Sequence, residues 1–66
     1  MYKYLEAKIL LSGKSKQEIA DAINVNINTL YAKLSGKTSF LLDEAFAIKD
    51  FLNADEDIEC LFKKTA

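Results

Sequence analysis

Apolar residues recur three and four positions apart from Leu5 to Phe62, and no stretch sustains the alternation that a half-buried strand requires. The chain contains no proline, so none of these runs is broken from within. An all-α fold follows. A single cysteine excludes an internal disulfide, and the absence of histidine excludes the Cys/His zinc frameworks. The 66 residues must therefore hold together by side-chain packing in one domain, because two pieces would each be too small to bury a core. A reducing cytoplasm is the compartment that such cysteine usage predicts.

The helices can be placed from their punctuation. The first is expected from about Tyr2 to Ser12, with Leu5 and Ile9 as its inner stripe, Leu10 widening it and Gly13 ending it. Lys3, Glu6 and Lys8 interrupt this segment, so it reads as a helix of the domain and not as a signal peptide or membrane span. In SKQE, Ser15 and Glu18 have the spacing of a capping box that opens a second helix with Ile19, Ala20 and Ile23 inside. Asn24 stops it, and Asn26 caps a third helix that Gly36 ends. A fourth is expected over about Leu42 to Leu52, with Ala45, Ile48 and Leu52 inward and Phe46 beside them. Asp55 is expected to cap a short fifth carrying Ile58, Leu61 and Phe62. Phe40, Phe46 and Phe51 read as core, and Cys60 as a buried structural thiol.

Charge is unevenly divided along the chain. Residues 1–38 carry six lysines against three acids, and residues 39–66 carry three lysines against seven acids. A net charge of −1 thus conceals a basic half (+3) and an acidic half (−4). One face meeting an anion would produce that split, and so would an uneven scatter of solvated lysines. Enzyme chemistry finds no footing. With no His, one Cys and no Gly-rich phosphate loop, no nucleophile and base can be paired, and neither a cofactor nor a small-molecule substrate is implied.

The second and third helices are joined by only about three residues, Asn24 to Asn26, so they must cross steeply with a small residue at the contact. Ala20 is that residue. Leu30 and Leu34 then hold the third helix, leaving Ile27, Asn28, Tyr31 and Ala32 on its outer side. Amides there can pair with adenine N6 and N7 in a major groove, while Ile27 and Ala32 can meet a thymine methyl.

The stretch SKQEIADAINVNINTLYAKLSGK resembles the helix-turn-helix of the Cro/cI-type phage repressors and related bacterial regulators. Ala20, Asn24, Val25, Asn26 to Ser35 and Gly36 stand in register with that family's small residue, turn, turn exit, recognition helix and following glycine. KYLEAKILLSGKS, FLLDEAFAIKDFLN and EDIECLF resemble its first, fourth and short C-terminal helices, so the likeness spans nearly the whole chain. Three positions depart from the pattern. Asn24 stands where glycine is usual, Lys16 falls where a glutamine opens the second helix with Gln17 one place later, and Lys33 occupies a usually apolar site.

The resemblance implies a compact five-helix lambda-repressor-like domain that binds double-stranded DNA at a pseudo-palindromic operator and regulates transcription. Base reading would fall to Asn26, Ile27, Asn28, Tyr31 and Ala32, and phosphate binding to Lys16, Gln17, Lys33, Lys37, Thr38 and Ser39. Structural readings stand beside these. Asn26 is also an N-cap, Tyr31 can pack its ring on Lys37 or the fourth helix, and Lys33 can lie solvated with its stem over Leu30 and Leu34. Ala54 to Lys64 is a candidate homodimer surface, unless its apolar residues simply close the core. The same scaffold could instead present a helix to another protein, as an antirepressor or antitoxin component does.

Overall fold

The computed structural model describes residues 2–64, and the apolar spacing resolves there into five α-helices: α1 Lys3–Ser12, α2 Lys16–Ala22, α3 Ile27–Ser35, α4 Leu42–Leu52 and α5 Ile58–Leu61. No strand occurs among the described residues, and no helix among them is long and apolar enough to cross a membrane. Each helix places one large side chain fully inside: Leu5, Ile19, Leu30, Ile48 and Leu61. Burying each contributes about 1.5–3 kcal/mol, and together they join all five elements in one core. α2 packs on α3 and α4, and α4 packs on α1 and α5.

The helix ends follow the residue chemistry. Glu18 N–H donates to Ser15 Oγ (3.1 Å) while Ser15 N–H donates to Glu18 Oε1 (2.9 Å), completing the capping box of α2. The Ser15 backbone N–H first, and the Ser15 hydroxyl after it, hold the Glu18 carboxyl below its ordinary range. Asn24 takes a left-handed backbone (φ 60°) at the exit of α2, and Gly36 does the same (φ 90°) after α3. Leu41 has no side-chain acceptor, so α4 carries only the reciprocal half of a capping box, in which Leu41 N–H donates to Glu44 Oε1 at 2.9 Å. At the other end Lys49 Nζ donates to the Ala54 carbonyl (2.8 Å), beside Asn53 in a left-handed conformation.

α1 begins without a side-chain cap, since its N-cap residue is Tyr2, which has no short side-chain acceptor and is buried instead. Its ring meets Phe40 (5.2 Å between centroids) and Phe62 (6.1 Å), which meet each other at 5.1 Å, all three edge to face. Such contacts are worth about 0.5–1.5 kcal/mol each beyond their buried area. The N-terminal turn, the α3–α4 loop and the C-terminal segment are thereby tied at one point. Leu61 and Phe62 spend their apolar surface in this closure, and Ile58 is half-buried.

Four expectations of placement change. Asp57, not Asp55, caps α5, its Oδ1 accepting from Cys60 N–H at 2.9 Å. The reason lies upstream: Glu56 accepts hydrogen bonds from Tyr4 Oη (2.5 Å) and Lys8 Nζ (3.2 Å) of α1, which holds residues 55–57 out of helix. Leu10 is 81% exposed, since it lies about 100° around α1 from Ile9 and points away from the core. Phe46 is exposed on α4 by the same rotation from Ala45, while Phe40 and Phe51 pack against the core as expected. Cys60 is exposed, because Leu61 takes the one inward position in the four-residue α5.

Candidate nucleic-acid interface

The α2–α3 pair is rigid at its junction. Ala20 is fully buried, its carbonyl accepts from Val25 N–H at 3.0 Å, and Ile23 and Val25 pack against the core on either side of Asn24. A larger side chain at position 20 has nowhere to go. Leu30 and Leu34 are buried beneath α3, so the helix is anchored along one edge and open along the other.

Along that open edge the five expected base-reading residues divide. Asn28 is exposed and its side chain makes no hydrogen bond among the described residues, which leaves both amide atoms available. Asn26 is exposed too, but its Oδ1 accepts from Asn28 N–H at 2.8 Å, so the oxygen that a bidentate adenine contact needs is already engaged in the N-cap. Tyr31 is half exposed, and the lysine–aromatic stacks among the described residues, Lys14 on Phe51 and Lys64 on Tyr2, do not involve it. Ala32 is half-buried, its carbonyl accepting from both Lys37 N–H (3.0 Å) and Thr38 N–H (3.4 Å). Ile27, expected outward, is only partly accessible and packs against the core. As the first residue of α3 it lies about 60° around the helix from buried Leu30, too close to that side to stand clear.

The phosphate candidates divide as well. Lys37, Thr38 and Ser39 are exposed together on the loop between α3 and α4. At the start of α2, Lys16 Nζ lies 3.5 Å from Glu6 Oε1 and Gln17 Nε2 donates to Asp21 Oδ1 at 3.1 Å. Both contacts are exposed and worth only about 0.2–1 kcal/mol, so a phosphate can displace them cheaply. The Glu18 carboxylate already occupies the positive end of this seven-residue helix, so an anion there would rely on the two side chains.

Lys33 is the clear departure. It is 8% exposed, and its Nζ donates to the Ser39 carbonyl (3.1 Å) and pairs with Glu44 Oε1 (2.9 Å). Its ammonium is thus turned inward and removed from the solvated lysines. The aliphatic stem fills the apolar position while the charge closes the loop: the one Glu44 oxygen receives both Lys33 Nζ and Leu41 N–H. The role of Glu44 was missed from sequence. A partial signal was present, since Glu44 stands three residues after Leu41, the spacing of the half capping box.

Comparison with protein-family models, with characterised proteins and with solved structures returned no match.

Proposed function

We propose that the protein is a sequence-specific double-stranded DNA-binding regulator of the Cro/cI-like kind, working at the nucleoid of a bacterial or phage-infected cell with α3 in the major groove. The observation that carries this reading is the pairing of an anchored α3, whose open edge presents an unengaged Asn28, with the exposed Lys37–Thr38–Ser39 loop that directly follows it. Base contacts fall to Asn28 first and to Tyr31 one turn on, with Asn26 supporting through its amide nitrogen. Lys37, Thr38 and Ser39 hold one phosphate strand, and Lys16 and Gln17 the other. Lys33 and Glu44 act at one remove, as positioning residues that fix the loop.

A second reading has its own support. Leu41 and Leu42 are each 64% exposed beside that loop, with Phe46 exposed on the same helix, and such an apolar surface suits a protein partner. Selection of bound duplexes from a random pool, repeated at several salt concentrations, separates the two. DNA recognition predicts an enriched site and a steep loss of affinity with salt, about 0.9 in log–log slope for each phosphate neutralised. An unenriched pool would refute it, and salt-insensitive capture of a protein partner would favour the second reading.

A further inference from the structure

We infer that the outer face of α1 is a homodimer interface, in which two copies pack antiparallel about a two-fold axis at Ala7. α1 is apolar on both sides. Leu5 and Ile9 face the core, while Leu10 (81% exposed) and Leu11 (83%) are the two most accessible large hydrophobic side chains among the described residues. Exposed Ala7 and partly exposed Tyr4 continue that outer face. A helix of this pattern is ordinarily covered on both sides.

The face is complementary to itself. Ala7 lies opposite the buried stripe, a small residue where two helix backbones can approach. Tyr4 and Leu11 flank it on one side, Lys3 and Leu10 on the other. In an antiparallel pair each side meets its own kind, so Leu11 of one copy sits against Tyr4 of the second, and Leu10 lies along the stem of Lys3. Tyr4, Ala7, Lys8, Leu11 and Glu56 line a cleft of about 220 Å³, which has room for the incoming Leu11.

Charge agrees with this orientation. α1 has no basic residue in its last turn, and the antiparallel arrangement carries Lys3 of each copy to the negative, C-terminal end of the other. A parallel pair would leave Lys3 at the positive, N-terminal end of the other copy. One helix face of this kind presents at most a few hundred Å² of apolar surface, so pairing lies at or below the lower edge of specific interfaces, about 1,000–1,200 Å² in total. The dimer is accordingly weak, dissociating between about 1 µM and 1 mM. It depends on α1 alone and not on the DNA-binding reading.

The test is sedimentation equilibrium of the full chain without DNA, up to about 1 mM. The wild-type mass should rise with concentration from 7.4 kDa towards twice that value. Leu10→Glu/Leu11→Glu should stay monomeric, with the melting temperature of wild type at concentrations where wild type is itself monomeric, whereas Leu41→Glu/Leu42→Glu, on the other exposed apolar patch, should dimerise like wild type. Ala7→Cys in a Cys60→Ser background should be joined to itself by a short bismaleimide, placing position 7 at the axis. A wild-type chain that remains monomeric throughout, a dimer indifferent to the Leu10/Leu11 pair, or one abolished by the Leu41/Leu42 pair would each overturn the assignment.

Discussion

Replacing Lys33 by Met tests whether the inward ammonium is a structural tie. Methionine keeps an unbranched stem of similar reach, so the apolar contacts over α3 survive and only the charge is lost. What remains is a Glu44 carboxylate whose side chain is 11% exposed, deprived of a cation at 2.9 Å, and a Ser39 carbonyl without its donor. Removing one member of a buried ion pair costs about 3–5 kcal/mol, and the low end applies because Glu44 keeps Leu41 N–H as a partner. For a domain of this length about 3 kcal/mol is a large share of a total stability of some 3–10 kcal/mol, and it corresponds to a fall in Tm of about 12–24 °C. Thermal and urea unfolding of Lys33→Met, Glu44→Gln and the double variant give the coupling directly. The double variant contains no unpaired charge, so its loss should be smaller than the sum of the singles by about 1–3 kcal/mol. Additive losses, or a Lys33→Met variant within about 0.5 kcal/mol of wild type, would show that the pair is an incidental contact.

Other expectations are simpler to state. Asn28→Ala should alter or relax base preference in selected sites, whereas Lys37→Ala should weaken all sequences alike and lower the salt slope by about 0.9 per subunit; an unchanged site profile for Asn28→Ala would remove that residue from the readout. Ser15→Ala should cost about 1 kcal/mol by thermal melting, since it strips one half of the α2 capping box, and a loss below about 0.3 kcal/mol would contradict that role. Glu56 is held at about 2 by the Tyr4 hydroxyl first, then by a backbone N–H and Lys8. Its folded value is depressed, so the stabilisation is full above the ordinary carboxylate value of about 4.3 and is lost as pH falls towards 2. An NMR titration of Tyr4→Phe should show the Glu56 midpoint moving upward, and an unmoved midpoint would disprove the assigned cause.

What sequence reading captured was local. Ser15 with Glu18, Asn24, Asn26 and Gly36 each answer a backbone requirement set by residues within a turn, and each stands where its chemistry predicts. The inner stripes of α2, α3 and α4 were equally legible, because period alone selects their faces. Two of the misplacements depend on distant neighbours, while Leu10, Phe46 and Cys60 follow from rotation about their own helices. Asp57 displaces Asp55 because Glu56 is drawn to α1, and Lys33 turns inward because Glu44 waits on α4. Ile27 fails for a local reason: only about 60° around α3 from buried Leu30, it is turned partly inward by helical phase itself. Of the candidate interface, the exposure of Asn28 and of the Lys37–Ser39 loop was legible and the burial of Lys33 was not, since nothing local distinguishes a lysine that will be buried from one that will be solvated.

The aromatic trio of Tyr2, Phe40 and Phe62 also sets the timing of assembly. Two of its rings stand 60 positions apart, so a growing polypeptide cannot finish the cluster until Phe62 has cleared the ribosome, however early α1 to α3 have coiled. The segment bearing Lys37 is seated through Phe40, so its final ordering waits on the arrival of Phe62, and cutting the chain before Phe62 would disturb a surface far away along the chain.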